Sequence, residues 1–161
     1  MNNRELFAVT NYILDNGNGI TNLKFQKLLF FFYGIHSCLY NNSQFEINIE
    51  AWKLGPVIPA TYNEFRDHGS NIITSRANMS MEEDMVDFPK LESKDLMQSA
   101  KITLIYYNRF TAGELVNKSH ELRCWKEKYD ETPKTKMDLQ EIRSEFDEKI
   151  MQGIMDYFKS T

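Results

Sequence analysis

The chain has 161 residues, of which 42% are hydrophobic and 13% aromatic, so we expect one globular domain over residues 1–161 with a packed core. Its formal net charge of −4 offers no general attraction to phosphate backbones and argues against nucleic acid as the main partner. The two cysteines are far apart, and the N-terminus has no signal-peptide pattern. The longest apolar run is far shorter than the ~20 residues of a membrane span. We therefore predict a cytoplasmic protein.

Two helices are predicted at the start of the chain. Apolar residues recur at helical spacing between residues 4 and 15, and NGNG at 16–19 predicts a helix end. The next segment, 21–41, is apolar on almost every side, and Thr21 or Asn22 is its expected N-cap. Because a helix without a polar face is usually buried, we predict that this helix forms the centre of the fold.

A small β element is predicted after the central helix. Residues 45–52 alternate between apolar and polar side chains, which indicates a half-buried strand, and residues 71–75 are a candidate partner strand. Gly55 stands before a proline and permits a sharp reversal of the chain. Pro59 suits the first turn of a helix, where its missing N–H is not needed, so we predict a helix over 59–67.

The second half of the chain is predicted to be mostly helical. Residues 70–92 have no clear periodicity and indicate a loop-rich connection, whereas helical spacing returns between 94 and 110. Thr111 and Glu114 form a capping-box pattern that opens the next helix. A turn at 130–135 then leads into a long amphipathic helix over 137–159.

These elements together predict the fold class. The chain is expected to be a mainly α, single-domain helical bundle around a buried central helix (about 21–41), with a small β element near 45–52.

The chemistry-bearing residues do not form a recognisable catalytic pattern. His120 and Cys124 lie four residues apart, but two ligands make only half a zinc site, and Cys124 is predicted well inside a helix rather than at a helix start. Carboxylates at 82–83, and Glu145 with Asp147, lie in polar stretches and are interpreted as surface charge. We therefore predict no enzyme, no catalytic or metal-binding residue and no cofactor; an enzyme or metal protein centred on His120 and Cys124 is the alternative.

Three blocks of sequence resemble one known family. ITNLKFQKLLFFFYGIHSCLY at 20–40 and IEAWKLGPVIPATYNEF at 49–65 are similar to the Panacea domain family, which includes SocA-like and phage-associated GepA-type antitoxins. ELVNKSHELRCW at 114–125 resembles a third family block, although Cys124 stands where a proline is common. The resemblance extends over nearly the whole chain and is weakest at 70–95.

The resemblance implies an antitoxin that neutralises a cognate toxin protein by direct binding. Some relatives act instead as adaptors that deliver a toxin to a protease, so a proteolytic adaptor or a prophage-encoded modulator of a host protein is the alternative function. A cognate toxin is therefore the expected partner, and a protease is the alternative partner.

The resemblance also marks candidate functional positions, for which two interpretations are open. The corner at 50–57 is either a rigid packed joint, with Glu50 paired to Lys24 or Lys27, or a stiff surface that presents Lys53, Leu54 and Val57 to a partner. The candidate partner-binding or family-motif positions are Lys24, Lys27, Glu50, Trp52, Lys53, Leu54, Gly55, Pro56, Val57, His120 and Trp125.

Overall fold

The computed structural model describes residues 1–41 and 46–161 and is mainly α-helical, which confirms the predicted fold class. Residues 42–45, which include most of the turn expected at 41–44 and the first residue of the predicted strand, lie outside the described residues. The helices are α1 (Asn3–Asn16), α2 (Asn22–Tyr40), α3 (Pro59–Phe65), α4 (Lys94–Tyr107), α5 (Ala112–His120), α6 (Arg123–Glu131), α7 (Leu139–Glu145) and α8 (Met151–Ser160). The strands are β1 (Glu50–Trp52), β2 (Gly55–Val57) and β3 (Thr135–Lys136).

Helix α2 lies at the centre of the fold, as its all-round apolar sequence predicts. It packs against α1, α4, α5 and α7, and against β2. The Thr21 hydroxyl caps its first turn by accepting a hydrogen bond from the Lys24 amide at 3.3 Å. Phe25, Phe30 and Phe31 are almost fully buried, because neighbouring elements cover every face of the helix.

The C-terminal helix is close to the predicted one but contains an irregular turn. The chain is helical from Leu139 to Ser160, with a π-helical segment at Phe146–Ile150 between α7 and α8. The Phe146 ring is fully buried and packs edge-on against Phe30, with the ring centroids 5.5 Å apart. A methyl group on Gly34 of α2 would overlap the Phe146 ring. The absence of a side chain there allows the two helices to pack closely.

The sheet corrects one predicted pairing. β1 lies between β2 and β3, both antiparallel to it, and residues 71–75 do not pair with it. The Ile73 amide instead donates to the Ile20 carbonyl at 2.9 Å, just before α2. β3 was missed because two polar residues carry no detectable period.

The predicted strand is longer than the regular one. β1 begins at Glu50, but the predicted alternation extends further back along the chain. Ile47 and Ile49 are buried while Glu46 and Asn48 are exposed. The buried face of the predicted strand is therefore correct from residue 46 onward, although its ladder is short.

The remaining connections agree with the predictions except at one point. Residues 69–93 follow an irregular path, and the capping box between Thr111 and Glu114 is present at the start of α5. The helix predicted to continue from Thr111 past Leu122 is wrong, because α5 ends at His120 and Leu122 is the N-cap of α6.

Across residues 1–41 and 46–161, no helix combines the length and the apolar character needed to cross a lipid bilayer.

Candidate functional site

The family-motif corner is a tight β-hairpin. Trp52 of β1 pairs with Gly55 of β2, so Lys53 and Leu54 form the two-residue turn between the strands. Both turn residues are exposed, with Leu54 at 51%. Val57 is buried, so the expectation that it is presented to a partner is wrong. Lys53 and Leu54 are the part of this corner that is available for contact.

Gly55 closes the hairpin over the start of the central helix. Its backbone has φ +101°, a conformation that residues with a side chain rarely adopt. A Cβ atom at this position would lie 2.5 Å from Ser119 Oγ and 2.8 Å from Lys27 Cε. The hairpin, α2 and α5 therefore meet where only a glycine fits.

Lys27 extends from α2 beneath this hairpin and is fully buried. Its ammonium group donates to the Pro56 carbonyl oxygen at 2.7 Å. Burial lowers the pKa of Lys27 to about 7, because the charged form is poorly solvated there. The expected ion pair with Glu50 is wrong, since a backbone carbonyl takes the place of a carboxylate.

We expect Lys27 to make the free energy of unfolding depend on pH. From about pH 7 to 10.5 the unfolded chain holds a proton that the folded chain has lost, so stability should rise with pH, by up to about 1.4 kcal/mol per unit. Below that window both states are protonated and the full cost of the buried charge is present. Lys27→Met should remove this slope, as measured by urea unfolding across the window.

The matched control for this prediction is Lys101→Met, which removes an exposed lysine on α4. Its pH slope should equal that of the unsubstituted chain. Parallel slopes for the chain and Lys27→Met would contradict the assignment of the slope to Lys27.

Lys24 and Glu50 each have a different partner from the one expected. Lys24 is half-buried and its ammonium donates to the Asn108 carbonyl at 2.8 Å, at the C-terminal end of α4, where positive charge is favoured. The Glu50 carboxylate accepts from the Trp52 indole N–H at 2.7 Å and from the Asn48 amide at 3.2 Å. Glu50 therefore orients the indole of Trp52 and does not neutralise a lysine.

Trp52 and Trp125 connect the hairpin to the helices. The Trp125 indole N–H donates to the Trp52 carbonyl at 2.9 Å, which joins α6 to β1. The Trp52 ring packs edge-on against Tyr62 of α3, with a centroid distance of 4.9 Å. The ammonium of Lys134 lies 4.5 Å from the centre of the same ring, a cation–π arrangement.

His120 belongs to an aromatic stack. Its ring lies 4.0 Å from the Trp125 ring at 14°, and Trp125 in turn stacks on Tyr129 at 5.0 Å. His120 Nε2 is buried and has no hydrogen-bond partner among the residues that the structure describes. Burial, followed by the charge of Lys27, lowers the pKa of His120. The result is a neutral imidazole stacked against the Trp125 ring.

Cys124 has different surroundings from His120. Cys124 is the second residue of α6, so its expected position well inside a helix is wrong. The thiol is nevertheless buried, and burial, followed by the neighbouring Glu145, raises its pKa well above the ordinary range. Such a thiol is a poor nucleophile, because the thiolate is the reactive form. Within the described ranges, no three His, Cys, Asp or Glu side chains group together as metal ligands.

Glu145 is the residue that the sequence interpretation placed wrongly. Its carboxylate is buried and accepts from the amides of Arg123 at 2.7 Å and Cys124 at 2.8 Å, which lie in the first turn of α6. Burial acts to raise its pKa, but these hydrogen bonds outweigh that effect and lower it. The available signal was its position on the same α7 face as Ile142, three residues earlier.

Glu145→Gln should destabilise the fold by about 1–3 kcal/mol at neutral pH, because a helix start loses its charged acceptor. The pKa of Glu145 is lowered in the folded chain, so its contribution is complete above the ordinary carboxyl pKa and is lost as the pH falls through the lowered value. The two proteins should therefore converge in acid. Urea unfolding at neutral and acid pH measures this, with exposed Glu148→Gln as the control; equal stability at neutral pH would contradict it.

The motif cluster, meaning Lys27, the hairpin at 50–57, His120 and Trp125, is thus a packed joint between α2, the sheet and the α5–α6 turn. Its polar groups are largely used in internal hydrogen bonds. Among the motif positions, Lys53 and Leu54 are exposed.

Comparison with known proteins gives one family and one relative. The family model described as "Antitoxin SocA-like, Panacea domain" matches residues 25–126. That range contains the whole motif cluster. The chain is 33% identical over 123 residues to Antitoxin SocA of Caulobacter vibrioides (strain NA1000 / CB15N), covering 70% of this chain and 63% of that relative. No solved structure matches the chain.

Proposed function

The chain belongs to the SocA-like Panacea domain family, and on that basis we propose that it is an antitoxin that neutralises a cognate toxin protein by direct binding. The observation that carries this proposal is the family match over residues 25–126, which includes the motif cluster. The relative named Antitoxin SocA supports it, and the aligned region spans 63% of that protein.

The geometry of the motif cluster supports a binding role without chemistry. The Lys27 amine is enclosed, the Cys124 thiol is buried with a raised pKa, and His120 is stacked against Trp125. These groups hold three elements together instead of meeting at an accessible reacting centre. A joint of this kind fixes the surrounding surface in place, which lowers the entropy lost when a partner binds.

The motif positions divide between packing and contact in this proposal. The buried ones, such as Lys27, Gly55 and Trp125, maintain the fold. Lys53 and Leu54 are free to touch a partner but form a small area. A specific interface needs about 800 Å² on each side, so most of the toxin-contacting surface lies outside the cluster.

Co-expression with the protein encoded by the neighbouring gene tests the proposal. Expressed alone, that protein should stop growth, and expression of this chain from a second promoter should restore it. A neighbour that is harmless alone, or that remains toxic in the presence of this chain, would remove the basis of the antitoxin assignment.

The amount of toxin separates direct binding from delivery to a protease. Under direct binding, immunoblots should show the same toxin level with and without this chain. A toxin level that falls on co-expression, and recovers in a protease-deficient host, would favour the proteolytic adaptor instead.

A further inference from the structure

An ordered loop at 79–88, here called the acidic loop, stands out from the rest of the surface. Both of its flanks are held by Asn11, a buried side chain of α1. The Asn11 amide donates to the carbonyl oxygens of Ala77 at 3.0 Å and Pro89 at 3.3 Å, and its oxygen accepts from the Ala77 amide at 2.7 Å. One side chain therefore fixes the distance between the two ends of the loop.

Hydrogen bonds within the loop fix its shape. The Asn78 side-chain oxygen accepts from the amides of Ser80 at 3.0 Å and Asp87 at 2.8 Å, and the Met79 amide donates to the Asp87 carbonyl at 2.9 Å. Arg4 of α1 then binds both carboxylate oxygens of Asp87, at 2.8 and 3.1 Å. The conformation exists before any partner arrives, so binding loses little chain entropy.

The loop carries apolar side chains that are exposed instead of packed in the core. Met81 is 98% exposed, Val86 is 70% exposed and Met85 is 56% exposed. Three exposed apolar residues within six positions are unusual in a chain whose remaining apolar residues are mainly buried, and such concentrations mark interaction sites. Methionine is flexible and polarisable, which suits it to fitting an apolar recess on another protein.

Negative charge lies between these apolar side chains. The carboxylates of Glu82, Glu83 and Asp84 are exposed, and the described part of the chain provides none of them with a salt bridge or side-chain hydrogen bond. No ion pair with another described residue offsets their mutual repulsion. A cationic partner would offset it.

The neighbouring surface is concave. Two grooves of about 480 and 570 Å³ share Ala8, Phe88, Lys90 and Leu91 along one side of α1. Phe88 is itself 39% exposed. The arginines nearby are already paired, Arg4 with Asp87 and Arg76 with Asp15. They therefore do not neutralise the carboxylates at the loop tip.

We infer that the acidic loop, with the adjoining grooves, is the surface that docks the cognate toxin, and that the toxin presents lysine and arginine side chains around apolar recesses. This inference rests on the proposed function. Complementary charge would steer the encounter and fix the orientation, while Met81 and Met85 enter the recesses. The motif cluster has the separate role of supporting the fold.

A charge-reversal variant tests the inference: Glu82→Lys with Glu83→Lys and Asp84→Lys. Binding to the purified product of the neighbouring gene should weaken by about 100-fold or more at low salt, and growth rescue should be lost. The melting temperature should stay close to that of the original chain, because these carboxylates have no salt-bridge partner among the described residues. Met81→Ser with Met85→Ser should weaken binding by about 10-fold through the apolar contacts alone.

The matched control reverses the same number of charges elsewhere, as Glu121→Lys with Asp147→Lys and Glu148→Lys, all at exposed positions. It should retain binding within a few-fold. Loop variants that bind as well as the original chain, or a control that loses as much affinity as the charge-reversal variant, would overturn the docking surface while leaving the antitoxin function intact. If the original chain does not bind or neutralise the neighbour's product, the proposed function itself fails, and this inference fails with it.

Discussion

Gly55→Ala is expected to destabilise the protein by roughly 2–6 kcal/mol, the sum of backbone strain and overpacking. The residue has φ +101°, and the new methyl group would lie 2.5 Å from Ser119 Oγ and 2.8 Å from Lys27 Cε. Neither neighbour can move easily. The Ser119 hydroxyl donates to the Val116 carbonyl at 2.8 Å, and Lys27 is held by Pro56. A loss of this size is comparable with the total stability of many domains.

Chemical denaturation and near-ultraviolet circular dichroism would measure the effect of Gly55→Ala. The matched control is Gly19→Ala, which also has positive φ, at +61°, but whose new methyl group would approach Ile72 no closer than 4.0 Å. It should lose only about 1–2 kcal/mol, the strain without the clash. Equal losses for both variants would contradict the close contact between the hairpin, Lys27 and Ser119.

Trp125→Ala is expected to cost about 3–5 kcal/mol, the range for removing a large buried aromatic side chain. Trp125 is 7% exposed and stacks between His120 and Tyr129. Its indole N–H also provides the hydrogen bond to the Trp52 carbonyl. The substitution therefore opens a cavity and releases the hairpin from α6. For a chain of this size the melting temperature should fall by roughly 6–20 °C.

Trp125→Phe separates the two contributions of this side chain. It keeps an aromatic ring between His120 and Tyr129 but removes the indole N–H that donates to the Trp52 carbonyl, so we expect a loss of about 1–3 kcal/mol. Differential scanning calorimetry on both variants would show whether Trp125→Ala loses more stability than Trp125→Phe. A Trp125→Ala protein as stable as the original chain would mean that the stack and the α6–β1 connection contribute little.

Elements with a strong period were predictable from the sequence. Helix α2 is apolar on all sides and could only be stable in the centre of the fold, and the Thr111–Glu114 capping box fixed the start of α5 by local hydrogen bonding alone. The strand near 45–52 was correct in its buried face for the described residues, because a period of two specifies which side chains face the core. Local patterns determined these features.

Features that depend on long-range contacts were not predictable. One of the two strands that pair with β1 is β3, about 85 residues further along the chain, and its two residues show no strand period. Lys27 was expected to meet a carboxylate, but the turn at Gly55 places the Pro56 carbonyl closer. The end of α5 at His120 lacks a glycine or proline, so tertiary contacts decide it: the Glu145 carboxylate from α7 starts a new helix at Arg123.

The candidate site also combines features that could be predicted from the sequence with features that could not. The family resemblance marked these positions as a group, and the structure brings most of them together in one joint. Their arrangement, with Val57 buried and Lys53 and Leu54 exposed, depends on the register of a two-residue hairpin. The acidic loop lies where the family resemblance is weakest. Its conformation depends on side-chain contacts such as that of Arg4 with Asp87.

The most direct test of the central claim, that this protein acts by binding a toxin without altering it covalently, is a reconstitution with the purified product of the neighbouring gene. Light scattering during size-exclusion chromatography and intact mass spectrometry would be applied to the same mixture. We predict a stable complex, loss of toxin activity in proportion to the fraction bound, and unchanged masses for both proteins. Neutralisation with no complex, or with a changed toxin mass, would contradict the claim.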